Sequence, residues 1–266
     1  MNPGIQRFPT AFRIRFHHPV SVLLIALLAI TGAHASGPLT VAAAANVRFA
    51  MEEIKADFDR ASGAEVNTVY GASGMLSTQI RNGAPFDLFV SADMDYPDSL
   101  RKWGYAPEKA KPYAYGKLVL WTLKDLDLDM GMEVLMDAGV AKVAVADPEH
   151  APYGREAVKA LRRCGLYDKV RAKLVYGESI SQVSQYILTG NAEIGFDAKS
   201  VVLSGEARGK GKWKEVDSAL YDRIAQGAVM CRFGLENHPM LASSFLAYLY
   251  SDPARRIFSK YGYALP

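Results

Sequence analysis

A two-lobed α/β fold is predicted by two features of the chain. Short apolar strands alternate with amphipathic helices from residue 39 onward, the rhythm of parallel-type sheets with crossover helices. Two extended segments, residues 113–122 and 226–233, read as crossings from one lobe to the other and back, so a hinge with a cleft beside it is expected. The resulting division is 36–113 plus 225–266 for the first lobe and 114–224 for the second.

Residues 1–35 stand apart. Arg7, Arg13 and Arg15 precede an apolar run over 20–30, and Ala33-His34-Ala35 follows as a small-x-small cleavage site, which together spell a secretory signal peptide. The run of about eleven residues is short of the roughly twenty that a spanning helix needs. No cysteine stands at the cleavage point to carry a lipid, so an exported, soluble mature chain over 36–266 is expected.

The first strand runs from Leu39 towards Asn46, and Val47, Ala50, Met51, Ile54 and Phe58 then recur at helical spacing, with Asn46 placed as N-cap. Residues 65–70 form a β-branched second strand, and Gly71 to Gly74 turns the chain into a helix beginning near Met75. Residues 85–93 read as a third strand, whose Asp93 opens the next helix. After the crossing at 113–122, a second α/β unit covers about 134–201. The returning strand at 226–233 leads to an apolar helix over 240–250 and another from Asp252.

The signal segment holds three of the 31 basic residues and none of the 28 acidic ones. The mature chain is therefore formally neutral, which argues against nucleic acid as a partner and makes any anion selectivity a local property. Cys164 and Cys231 match no zinc spacing and fall in different lobes, so unpaired thiols are expected. His150 and His238 are the only histidines outside the signal, little material for metal or triad chemistry.

Four strand-to-helix junctions hold the chemistry: 39–46, 65–74, 142–154 and 173–180. Each brings a helix N-terminus, with its unpaired N–H groups and positive dipole end, to the tip of a strand, and such ends bind oxyanions. Ala45-Asn46, Gly71-Ala-Ser73-Gly74, the segments 83–93 and 115–121, Asp147-Pro-Glu-His-Ala-Pro-Tyr153-Gly154 and Tyr261-Gly-Tyr263 occur in the order and spacing of a known family. The chain resembles the periplasmic molybdate-binding proteins of molybdate ABC transporters over nearly its whole mature length.

That resemblance implies a type II periplasmic binding protein, two α/β lobes joined by two crossing strands, which holds molybdate or tungstate without any cofactor. It implies a membrane permease as partner and a monomer in the periplasm. Carried onto this chain, it places ligand contacts at Asn46, Ser73, Tyr153 and the backbone amide of Ile180. Asn46 stands where serine is frequent and is expected to donate through its side-chain amide. Ala198 stands where some members carry a ligand-contacting tyrosine, and Tyr153 where those members have a small residue.

Molybdate, tungstate and sulfate only accept hydrogen bonds near neutral pH, so a shell of donors without carboxylates suits them, whereas hydrogen phosphate carries a proton that calls for an acceptor. Each contact also has a plainer reading: Asn46 and Ser73 as N-caps, Tyr153 as a surface loop residue, and Ser179 with Gln182 as a capping box. Asp147 and His150 are read as shaping a Pro-containing turn, and Asp87, Asp93 and Asp95 as strand-end caps rather than a calcium site. No catalytic residue and no cation ligand is assigned. The alternatives are the same fold binding sulfate, phosphate or a small organic anion, a receptor-binding sensor lobe, and, distantly, a serine hydrolase on Gly71-Ala-Ser73-Gly74, which lacks the closing glycine of a nucleophile elbow because Met75 stands there.

Overall fold

The computed structural model describes residues 37–266; the expected signal peptide and its cleavage site lie outside the described residues. β1 (Leu39–Ala44) shows why its sequence suits a central strand. Leu39, Val41 and Ala43 pack into one apolar cluster and Ala42 into another, the two-residue alternation of a strand covered on both faces. A 3-10 turn, Ala45–Val47, leads into α1 (Arg48–Ser62), whose Ala50, Met51, Ile54 and Phe58 form the predicted buried stripe. Asn46 does not cap this helix; its side-chain amide turns inward instead, to Gln226 and Tyr263.

β2 (Val66–Gly71) runs parallel to β1, and α2 (Ser73–Arg81) begins two residues before the expected Met75. β3 (Leu88–Val90) is parallel to β1 on its other side. Of the expected strand 85–93 only these three residues are paired in the ladder; single backbone bonds continue it, from the Asp87 N–H to the Thr40 carbonyl and from the Ser91 N–H to the Gly227 carbonyl, and side chains add to both ends. The Asp87 carboxylate accepts the Thr40 N–H at 2.7 Å and holds His238 Nδ1 at 2.8 Å. Ser91 Oγ donates to Asp93 Oδ1 at 3.0 Å, and the same oxygen accepts the Tyr96 N–H at the start of α3 (Asp95–Lys102). Asp87 and Asp93 thus take the capping roles read from the sequence, whereas Asp95 makes no cap and instead faces Arg155 at 3.6 Å.

The segment 113–122, expected as one strand, is two. β4 (Lys111–Gly116) belongs to the first sheet and β5 (Leu118–Thr122) to the second, so the chain changes sheets at Lys117. The expected lobe boundary at 113/114 thus falls inside β4, whose register with its antiparallel neighbour runs to Gly116. The second sheet continues with β6 (Val143–Ala146), α4 (Pro152–Arg163), α5 (Tyr167–Val170), β7 (Leu174–Gly177), α6 (Ile180–Leu188), β8 (Ile194–Ala198), α7 (Lys199–Val202) and the short edge strand β9 (Lys212–Glu215). β10 (Ile224–Met230) returns to the first sheet, and α8 (Arg232–Asn237), α9 (Pro239–Tyr248) and α10 (Asp252–Lys260) complete it.

The two sheets share one plan. Their orders are β2-β1-β3-β10-β4 and β7-β6-β8-β5-β9; in each, four strands point the same way and one, β10 or β5, runs antiparallel to both its neighbours. In the first sheet, α1, α9 and α10 cover one face through Phe58, Phe245 and Phe258, while α2 and α3 cover the other through Leu76, Ile80 and Leu100. Cys164 caps α4 and Cys231 follows β10; both are free thiols in different clusters, as expected.

Two features of the second sheet fix the starts of α4 and α6. Gly154, in the first turn of α4, is pressed against the end of β6, so that a Cβ there would collide with the carbonyl oxygen of Ala146. Asp197 on β8 is fully buried. Burial pushes its carboxyl up to about 7, against the lowering effect of hydrogen bonds from Ser184 and the Ala198 amide. Ser184 Oγ lies 2.7 Å from Asp197 Oδ2 and 2.9 Å from the Ile180 carbonyl. Ser184 has one hydroxyl hydrogen for these two acceptors; below about pH 7 a protonated Asp197 donates to Ser184 in turn and frees that hydrogen for the Ile180 carbonyl.

Gly154→Ala should destabilise the protein by about 1–3 kcal/mol, since the obstacle is backbone and cannot rotate away; thermal unfolding followed by circular dichroism reads this as a lower midpoint. Asp197 binds its proton more tightly folded than unfolded, so stability falls as pH rises from the ordinary carboxyl range to about 7. Asp197→Asn, which keeps both hydrogen bonds, should remove that slope and be the more stable protein at pH 8; urea titrations at pH 5 and pH 8 would reject this if wild type and variant run parallel.

Candidate functional site

The parallel strands of both sheets end around one small cavity, the position at which α/β sheets bind ligands. It is lined by the tips of β1 and β2 (Ala44, Gly71), by Ala45 and Asn46, by Ala72 and Ser73, by Ala92, by Ala151 to Tyr153 and by Ile180. About 200 Å³ of it is free of atoms, including the mouth. All four residues expected at the site therefore meet at one place, two from each sheet. The larger hollow bordered by Asp125, Asp129, Lys212 and Lys214 is a surface groove walled by ion pairs.

Ser73 is the first residue of α2 and has no solvent exposure. Its Oγ accepts the Ala92 N–H at 3.0 Å, which leaves the hydroxyl proton available to a ligand. Tyr153 and Ile180 are the second and first residues of α4 and α6. The opening amides of a helix have no intrahelical acceptor, and Pro152 at the start of α4 removes one of them, so the Tyr153 amide is the first donor that helix presents. Tyr153 is buried within α4 rather than on a surface loop. The capping-box reading of Ser179 gives way as well: Gln182 Oε1 reaches the Glu178 amide at 2.6 Å and Ser179 makes no side-chain cap bond.

The aromatic ring of Tyr153 passes behind the cavity to the crossing strands. Its hydroxyl accepts from Gln226 Nε2 at 3.2 Å and sits where a Cβ on Gly116 would be, which explains the glycine at the end of β4. Burial, with the neighbouring Tyr263 adding to it, holds this phenol well above its ordinary pKa, so it keeps its proton. Asn46 lines the cavity but commits both hydrogens of Nδ2, to Gln226 Oε1 and to Tyr263 Oη at 3.0 Å each. In this arrangement the expected side-chain donor is its own network's donor, and the residue offers the cavity its backbone.

The walls carry no carboxylate and no Lys, Arg or His among the described residues. Charge stands at the rim instead. Arg155 Nη2 lies 2.6 Å from Asp93 Oδ2 and 3.6 Å from Asp95. Burial raises the Asp93 carboxyl even though Arg155, Tyr96 and Ser91 all favour its ionised form. Tyr96 Oη donates to the Glu149 carbonyl at 3.0 Å and the Gly74 N–H to the His150 carbonyl at 2.9 Å. These three ties join the segments of the two lobes that flank the cavity, next in sequence or nearly so to its lining residues Ser73, Ala92, Ala151 and Tyr153.

Asp147 and His150 shape the turn before α4, as expected: His150 Nδ1 lies 2.7 Å from Asp147 Oδ2, and Asp147 Oδ1 accepts the Glu149 N–H at 3.0 Å. With Glu149 they bring three potential metal-ligand atoms within 4.8 Å of one another, yet the Asp147 and His150 atoms serve the turn. Sequence reasoning missed Gln226, Arg155 and Tyr96. Gln226 had a legible signal, a lone amide side chain inside the apolar strand Ile224–Met230.

The family model of the bacterial extracellular solute-binding proteins matches residues 39–264. The molybdate-binding protein ModA of Rhodobacter capsulatus is 40% identical over 230 residues, 86% of this chain and 89% of that protein. ModA of Azotobacter vinelandii is 38% identical over 250 residues, 92% of this chain and 98% of that one. The solved structure of the Azotobacter vinelandii periplasmic molybdate-binding protein superposes with a TM-score of 0.81 at 32% identity, covering 86% of this chain and 99% of that chain. The chain belongs to the bacterial extracellular solute-binding proteins and, within them, to the family of the molybdate-binding protein ModA.

Proposed function

We propose that this protein is exported to the periplasm, captures molybdate or tungstate in the cavity between its two lobes and delivers it to the membrane permease of an ABC transporter. The observation that carries the reading is the composition of the cavity: buried backbone amides at the starts of α2, α4 and α6 and the Ser73 hydroxyl, without a carboxylate or a cation. A dianion that only accepts hydrogen bonds matches such a wall, and charge-assisted bonds in a dry cavity are stronger than neutral ones. The names of the Rhodobacter and Azotobacter relatives point to the same ligand. Closure over the anion is the signal that the permease reads, and the protein acts as a monomer with no cofactor.

A hydrolase reading of Ser73 finds no support in its surroundings. Its hydrogen-bond partner is a backbone amide, and the described residues show no hydrogen bond between Ser73 and either His150 or His238, whose recorded side-chain partners are Asp147 and Asp87.

Calorimetric titration of residues 36–266 with molybdate, tungstate, sulfate and phosphate tests the proposal. One-to-one binding of the first two in preference to the others is expected; preference for sulfate or phosphate would keep the fold and change the ligand. Ser73→Ala should weaken molybdate binding by about 1.5–3 kcal/mol, the range for a hydrogen bond to a charged group. An unchanged dissociation constant in that variant would remove the Ser73 hydroxyl from the contact set.

A further inference from the structure

Beneath the cavity lies a buried polar network that no ligand contact requires. Gln226 is fully buried on β10. Its Oε1 takes the Asn46 Nδ2 proton at 3.0 Å and lies 2.9 Å from Tyr113 Oη, and its Nε2 donates to Tyr153 Oη at 3.2 Å. Tyr113 Oη also lies 3.1 Å from the Ser91 carbonyl. Tyr263 Oη lies 3.0 Å from Asn46 Nδ2 and 2.9 Å from the Asn46 carbonyl, which Ser200 reaches as well.

Proton accounting exposes two weak points. Tyr113 has one hydroxyl hydrogen and two acceptors, Gln226 Oε1 and the Ser91 carbonyl, while the Tyr153 hydroxyl hydrogen has no acceptor in the network. Asn46 Oδ1, an acceptor, has no hydrogen-bond partner among the described residues, and Asn46 lines a cavity whose proposed guest is an acceptor too.

A half-turn of both side-chain amides leaves every heavy atom in place and reassigns the bonds. Gln226 Nε2 then donates to Asn46 Oδ1 and to Tyr113 Oη, which is free to donate to Ser91. Gln226 Oε1 accepts the Tyr153 proton, and Asn46 Nδ2 becomes available to the cavity. The two amides must turn together, because turning one alone would set two NH₂ groups or two carbonyl oxygens against each other. The cost moves to Tyr263, whose single hydrogen then chooses between Asn46 Oδ1 and the Asn46 carbonyl; the latter keeps Ser200 in either case.

We propose that Gln226 is a positioning residue that decides which atom Asn46 presents to the bound anion: with the anion in place both amides are turned, Gln226 Nε2 holds Asn46 Oδ1, and Asn46 Nδ2 donates to the anion. This rests on the reading of the cavity as an oxyanion site. Gln226 touches no ligand in this scheme; it acts through Asn46. A dianion favours the turned pair because it accepts from Nδ2 and is repelled by Oδ1.

Two measurements test it. In molybdate-loaded wild-type protein with ¹⁵N-labelled side-chain amides, the Gln226 amide protons should give their stronger nuclear Overhauser contacts to the Tyr113 ring. Stronger contacts to the Tyr153 ring in the loaded protein would overturn the proposal without any variant. In calorimetry, Gln226→Leu should weaken molybdate binding by about tenfold in the wild-type background and by less than about twofold after Asn46→Ala, because a residue that acts through another has nothing left to position. Equal losses in both backgrounds would mark Gln226 as merely structural. Failure of wild-type protein to bind molybdate at all would instead overturn the functional reading, and this inference with it.

Discussion

Buried backbone N–H groups need acceptors, and this requirement governs the architecture around the cavity. Three helices, α2, α4 and α6, begin within reach of one another, and their opening amides have no partner inside their own helices. In a solvent-poor interior each such donor is costly to leave unpaired. The strands that end at Ala44, Gly71, Ala146 and Gly177 exist in this fold to bring those helix starts together. Small residues follow from the same demand: Ala45, Ala72, Ala92 and Ala151 line the cavity and let backbone approach what it binds.

The formal neutrality of residues 36–266 is consistent with this solution. Selectivity that rests on oriented dipoles and one hydroxyl needs no excess of positive charge, and full charges at the rim are paired among themselves, Arg155 with Asp93 and Asp95. Those pairs, with the Tyr96 and Gly74 bonds, connect loops of both sheets. The ties between the sheets and the cavity wall are thus built from adjacent residues: Gly74 follows Ser73, and Arg155 follows Gly154 and Tyr153.

The crossing strands do more than tether the lobes. Gln226 on β10 and Gly116 at the end of β4 meet the Tyr153 hydroxyl between them, so the first turn of α4 is referenced to the hinge. Asn46, through Gln226 and Tyr263, ties the start of α1 to the same point. Low dielectric strengthens such a network when it is satisfied and penalises each orphan, which is why the orientation of two amides matters.

Legible in the sequence were the fold class, the order of strands and helices and the four strand-to-helix junctions, which depend on local periodicity and on which residues start helices, information carried within a dozen neighbours. The four residues that meet at the cavity were placed by the resemblance of the motifs to the molybdate-binding family, since local rules alone read them as caps or a loop residue. The sequence did not determine where the 113–122 segment divides, because a strand looks the same whichever sheet it joins, and Lys117 is a break only relative to two partners far away in sequence. Nor did it determine what Asn46 does with its amide. An asparagine before a helical stripe is an N-cap by local rules; Gln226 and Tyr263, 180 and 217 residues away, claim its hydrogens only once β10 and the C-terminal segment have folded against the first turn of α1.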